Sequence, residues 1–122
     1  MKKALFAAAA VLALAACEAI SDPVVCPAIV PVSVRVTVQD SVTGANVTPG
    51  ATVVLRSGTY VESVVGLPGA GEVGVGGNRT GTFTVTVTQS GYQTWTKTGV
   101  KVEEGPCGAR TVSLTARLKP AG

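Results

Sequence analysis

The chain has 122 residues, of which 46% are hydrophobic, 14% are charged and only 4% are aromatic. It contains no histidine, which excludes Ser-His-Asp and Cys-His catalysis and the usual zinc sites. Ten basic and seven acidic side chains give a net charge of +3 without a basic run, so no nucleic-acid partner is indicated. The sequence therefore predicts a protein that is not an enzyme, with no catalytic residues and no metal or cofactor.

The N-terminus has the pattern of an export signal. Lys2 and Lys3 precede an uncharged apolar run of 13 residues, 4–16. A transmembrane helix needs about 20 apolar residues, so this run is too short to span a bilayer. Its length suits the hydrophobic region of a cleaved signal helix, which we place at residues 1–16.

The signal ends in Leu-Ala-Ala-Cys, residues 14–17, which resembles the lipobox of bacterial lipoproteins. The resemblance implies that Cys17 carries a diacylglycerol on sulfur, becomes the first residue after cleavage and is acylated on its amine. Several acyl chains anchor a protein stably where one binds marginally. We therefore expect a membrane partner and a lipid-anchored protein of the bacterial cell envelope, with the outer membrane, facing the periplasm or the cell surface, as the favoured location. The alternative is an ordinary signal peptide with an incidental cysteine.

The other two cysteines lie at opposite ends of the processed chain, which has 106 residues (122 less 16) and a net charge of +1 after Lys2 and Lys3 are removed. An exported chain meets an oxidising compartment, where paired cysteines normally form a disulfide. We predict a bridge between Cys26 and Cys107, the alternative being two separate thiols. Residues 17–28 are assigned to the lipidated cysteine and a tether, and residues 29–122 to one β-sandwich domain.

The body of the chain has the composition and the periodicity of β-strands. Valine and threonine, which suit a pleated and half-buried surface, account for 36 of its 106 residues. Apolar and polar residues alternate clearly, and six strands are predicted over residues 32–38, 51–57, 60–65, 82–88, 94–103 and 111–118. Short strands at this spacing predict an all-β fold, a single antiparallel sandwich of about seven strands.

Two stretches resemble a known family, the carboxypeptidase regulatory-like domain. They are VSVRVTVQDSVTGANVTPGATVVL, which has the D-x-x-T-G turn between two strands, and GTFTVTVTQSGYQTW, which has the G-x-F strand followed by a Gly-Tyr pair. The resemblance covers roughly residues 32–119. It implies an Ig-like or transthyretin-like β-sandwich and a non-catalytic accessory or binding module.

The glycine-rich segment 66–81 departs from that family pattern, with 7 glycines in 16 residues. We interpret it as a flexible loop. The alternative is a binding loop, because loops of this length in compact domains are often functional.

Two functions are compatible with these features. The favoured one is a structural or protein-interaction module that holds an unknown envelope protein or polymer near the membrane. The alternative is a module for a small ligand or carbohydrate, with Trp95, Tyr92 and Tyr60 as exposed aromatic contacts.

The position of Trp95 separates these functions. Strict alternation places Trp95 on a charged face with Lys97 and Lys101, where it would be an exposed anchor. A β-bulge at Gly99 would instead bring Trp95 onto the face of Val100, inside the core. We favour the bulge, because the chain has few other aromatic residues to fill a core.

Overall fold

The computed structural model describes residues 25–122, which form nine β-strands and contain no helix, hence none that could span a membrane. The strands are β1 Val32–Asp40, β2 Thr52–Ser57, β3 Tyr60–Val65, β4 Val73–Gly77, β5 Gly81–Thr88, β6 Trp95–Val102, β7 Glu104–Gly105, β8 Gly108–Ala109 and β9 Val112–Leu118. The predicted all-β sandwich is confirmed at this level. The predictions for the signal helix, for Cys17 and for the tether up to residue 24 fall outside the described residues.

One sheet has three strands in the order β4-β1-β9. β1 is antiparallel to β4 and parallel to β9, so that Val34 lies opposite Val75 on one side and Val112 on the other. This parallel pair departs from the antiparallel sandwich predicted from the sequence, but it is the arrangement of the first and last strands under which Cys26 and Cys107 are expected to meet at one end. It arises because the first and last strands start at the same end, and the chain between them crosses through the other sheet.

The second sheet has four antiparallel strands in the order β3-β2-β5-β6. β2 and β3 form a hairpin in which Ser57 pairs with Tyr60 across a two-residue turn. The first turn residue, Gly58, has a φ of +60°, the left-handed conformation that tight hairpin turns require.

The inner faces of the two sheets enclose one hydrophobic core. In β1, Val34, Val36 and Val38 are completely buried, whereas Arg35 between them is exposed. This period of two is the pattern of a strand with one face in the core. The main core partners on the other sheet are Val53, Leu55, Phe83, Val85, Val87, Val100 and Val102.

The interpretation of segment 66–81 as a flexible loop is wrong for its central part, because residues Val73–Gly77 form β4. Val73 and Val75 are buried in the core, and the strand is paired along β1. A Cβ atom at Gly74 would lie 3.1 Å from Val32 Cγ1. Glycine therefore suits this strand because β4 lies close to neighbouring side chains.

A β-bulge in β6 sets the orientation of Trp95. Phe83 is paired with Val100, but Val85 is paired with Lys97, so β6 advances three residues while β5 advances two. Gly99 has a φ of +67° at this point. The extra residue shifts the alternation and places Trp95 opposite Val87, a core residue, which confirms the predicted bulge. Trp95 itself is half-buried against the core and not fully inside it, because β6 is an edge strand.

Candidate functional site

The disulfide-bonded end of the sandwich is the first candidate site. Cys26 and Cys107 form a disulfide with a Cα–Cα distance of 5.2 Å, which confirms the predicted pairing. The bridge links the segment before β1 to the turn between β7 and β8. The two cysteines meet because they precede the parallel strands β1 and β9 at the same end of the fold.

Hydrogen bonds from Asn78 and Thr111 hold this end together. The Asn78 amide donates to the Pro31 carbonyl (2.8 Å), and its side-chain oxygen accepts from the Ala109 amide (2.8 Å). The Thr111 hydroxyl donates to the Val32 carbonyl (2.6 Å). Asn78 is the only described residue other than glycine with a positive φ, 54°, and asparagine tolerates this conformation. The sequence gives no signal for these contacts beyond the turn preference of asparagine.

A groove of about 290 Å³ lies beside the disulfide. Its lining is mostly apolar and also includes Arg35 and Arg110. The apolar lining comes mainly from Pro27, Ile29, Val30, Pro31 and Val32. Ile29 and Val30 remain 75% and 69% exposed, so this segment offers an apolar surface to whatever lies beyond this end of the sandwich.

Tyr60, a candidate binding residue, is engaged inside the protein. The guanidinium of Arg79 lies 3.8 Å from the centre of its ring, and Phe83 packs edge-on against it. Its hydroxyl donates to Glu62. Burial, and then the hydrogen bond to Glu62, raise the pKa of Tyr60.

Tyr92, the second candidate, anchors the connection between β5 and β6. Its hydroxyl donates to Asp40 Oδ2 (2.7 Å), while Asp40 Oδ1 accepts the amides of Val42 (2.7 Å) and Thr43 (2.9 Å). The Thr43 amide, followed by the Tyr92 hydroxyl and the Val42 amide, lowers the pKa of Asp40. The same contact with Asp40 raises the pKa of Tyr92. Asp40 thus closes the turn after β1 and ties it to Tyr92.

These shifts predict how stability depends on pH. Because the pKa of Asp40 is lower in the folded protein than its ordinary value of 3.8, its carboxylate stabilises the fold at pH values above 3.8. This stabilisation is lost as the pH falls through the folded pKa. We expect thermal melts from about pH 2 to 5 to show a shallower pH dependence for Asp40→Asn than for the unchanged protein. Tyr92→Phe should give an intermediate slope. Equal slopes in all three would contradict the assignment to Asp40.

Trp95, the third candidate, is half-buried and packs against the core. It lies on the edge strand β6, whereas Tyr60 lies on β3, the opposite edge of the same sheet. Tyr92 belongs to the β5–β6 connection. The three aromatic residues are therefore distributed over the sandwich and do not form one shared platform.

We expect Trp95→Ala to lower the free energy of unfolding by about 2 kcal/mol, near half of the cost for a fully buried aromatic side chain. Urea unfolding would measure the change, and the native emission of Trp95 should be blue-shifted relative to the unfolded chain. Thr96→Ala, on the exposed face of the same strand, is the control and should change stability by less than about 0.5 kcal/mol. An unchanged midpoint for Trp95→Ala would argue against its packing role.

Within residues 25–122 no group of three His, Cys, Asp or Glu side chains is placed to hold a metal ion. Comparison with protein-family models and with curated proteins finds no match for this chain.

Proposed function

We propose that this protein is a lipid-anchored lipoprotein of the bacterial cell envelope, at the outer membrane, whose sandwich is a non-catalytic structural or protein-interaction module. We also propose that the sandwich is of the Ig-like or transthyretin-like kind found in carboxypeptidase regulatory-like domains. The order of the motifs in the chain supports both proposals.

The observation that carries the proposal is the position of the disulfide relative to the lipobox. Cys26 follows Cys17 by only nine positions and is bonded to Cys107, near the start of the last strand. A chain anchored at Cys17 would therefore be attached to the first and last strands together. That attachment suits a module that holds a partner at a fixed place near the membrane.

The outer face of the four-stranded sheet is the surface that we propose for the partner. Ser63, Val54, Thr86 and Thr96 form one row across its strands. Val61 and Val65 on the edge strand are about half exposed, at 51% and 54%. Small hydroxyl and methyl groups with few charges suit the centre of a protein interface, which is depleted in charged residues.

Cell fractionation tests the anchor. Cys17→Ala should move the protein from the membrane fraction to the soluble fraction, because the acyl chains supply the attachment. It should also prevent processing at this site, because the lipobox cysteine is lost. Ser21→Ala, in the same tether, should leave the protein in the membrane fraction. Membrane retention of a cleaved Cys17→Ala protein would refute the anchor.

Crosslinking in cells, followed by identification of what co-purifies, tests the interaction surface. Thr86→Arg introduces charge at the centre of the proposed face and should remove the crosslinked partner. Val42→Arg, on the exposed turn after β1, should retain it. Equal capture by both variants would exclude this face as the binding surface.

A further inference from the structure

We infer that the disulfide-bonded end of the sandwich lies against the lipid bilayer through the side chains of Val25, Ile29 and Val30. This inference deepens the proposed function and rests on it, because it requires anchoring at Cys17. It assigns a second contact with the membrane, made by protein side chains and distinct from the acyl chains.

Exposed apolar residues are concentrated at this end. Seven large hydrophobic side chains stand out as exposed in the described chain, and three of them, Val25, Ile29 and Val30, fall within six residues. Their exposures are 85%, 75% and 69%. Grouped exposed side chains of this kind, beside an apolar groove, mark a surface that gains free energy when it is covered.

The length of the chain between Cys17 and Val25 indicates that a bilayer covers this apolar surface. Val25 follows Cys17 by eight residues, which span less than ~30 Å even when fully extended. The chain joins the sandwich at this end, so this end is held closest to the anchor. β1 then runs away from it for nine residues, about 30 Å, and carries the turn at Val42 to the opposite end.

The apolar segment is fixed to the sandwich. Cys26 is covalently bonded to Cys107, and the Pro31 and Val32 carbonyls accept hydrogen bonds from Asn78 and Thr111. The rings of Pro27 and Pro31 fix their own φ angles. Insertion of this segment into the interface would therefore set the orientation of the whole domain, with the outer sheet face standing out from the membrane.

Charge at this end indicates an apolar contact. Arg35 forms an ion pair with Glu72 (3.0 Å), and Lys101 forms one with Glu103 (3.9 Å). Because both signs of charge are present, attraction to anionic lipids is not the main contribution to membrane binding at this end. The contact should therefore form on uncharged phosphatidylcholine and should depend weakly on salt.

Fluorescence of the full lipoprotein in vesicles tests this inference. The protein has one tryptophan, Trp95, at the start of β6 and hence at the end far from the disulfide. An additional reporter is introduced by Ile29→Trp, and the matched control is Val42→Trp, which is also at an exposed position. Each protein is reconstituted in phosphatidylcholine vesicles with and without bromine atoms on the acyl chains, which quench tryptophan only on contact.

The expected result is a loss of emission in brominated vesicles for Ile29→Trp alone. Adding Val30→Glu to that variant should remove most of the loss, because a buried carboxylate opposes insertion. Equal quenching of the Ile29→Trp and Val42→Trp proteins, or none in either, would overturn the inference. A blue-shifted but unquenched reporter at position 29 would overturn it in favour of a protein partner or a second copy at this end.

Flotation and intact mass separate this outcome from failure of the proposed function. A lipidated chain that floats with the vesicles but shows no selective quenching overturns the bilayer contact only. A chain without acyl mass on Cys17 overturns the anchor, and the bilayer contact with it.

Discussion

Removal of the disulfide is expected to lower the free energy of unfolding by about 4.5 kcal/mol. The two cysteines are separated by 81 positions, and in the chain-entropy model a bridge over a loop of this size restricts the unfolded chain by that amount. The native Cα–Cα distance of 5.2 Å lies in the usual range for disulfides, so little of this stabilisation is offset by poor geometry. Denaturant unfolding of the protein with Cys26→Ala and Cys107→Ala together would measure the loss.

The reduced form of the unchanged protein is the matched control for this double variant. It should unfold at nearly the same denaturant concentration as the double variant, because both lack the same constraint. The folded spectra should be alike in the two redox states, since β1 and β9 are paired at seven positions in addition to the bridge. A difference below about 1 kcal/mol between oxidised and reduced protein would contradict a major stabilising role.

The fold class could be predicted because the clearest strands carry their own signal. In residues 32–38 and 82–88 apolar and polar side chains alternate. The predicted inner residues of these strands, apart from the half-buried Val32, are buried: Val34, Val36, Val38, Phe83, Val85 and Val87. Alternation depends only on the pleat of a strand, so it can be recognised without knowledge of the partner strands. The direction of strand pairing cannot be recognised from alternation, because the parallel alignment of β1 and β9 is determined by contacts between residues far apart in sequence.

β4 could not be predicted because glycine hides the alternation. Only Val73 and Val75 mark its inner face, and three glycines occupy the remaining positions of the strand. Glycine is usually unfavourable in strands, and the residues that make it suitable here, Val32 and Ser33, lie about 40 positions earlier in the chain. The strand is thus determined by its neighbours more than by its own composition.

The candidate sites also include a feature that could be predicted from the sequence and features that could not. The disulfide could be predicted from the number of cysteines and the expected compartment, which are properties of the whole sequence. The surroundings of the aromatic residues could not, because Tyr92 meets Asp40 across 52 positions and Arg79 reaches Tyr60 from another strand connection. For Trp95, only the strand register decides between the two orientations that the sequence allowed.

The second large effect is expected at Gly76, where alanine should lower the free energy of unfolding by roughly 2–5 kcal/mol. A Cβ atom at this position would lie 2.7 Å from Leu55 Cδ2 and 2.9 Å from both Cβ and Oγ of Ser33. Leu55 and Ser33 are completely buried, so neither side chain has space to move away. The φ of +80° adds backbone strain for any residue other than glycine.

Gly77→Ala is the matched control, because the neighbouring glycine belongs to the same strand and differs in these properties. A Cβ atom at Gly77 would meet no heavy atom within 4 Å, and its φ is not positive. Alanine there should be neutral or should stabilise the protein by up to about 1 kcal/mol, because it restricts the unfolded chain. Thermal melts of the two variants therefore distinguish a closely packed β4 from a flexible segment. If β4 were a flexible loop, both substitutions would leave the melting temperature nearly unchanged, and the pairing of β4 with β1 would have to be abandoned.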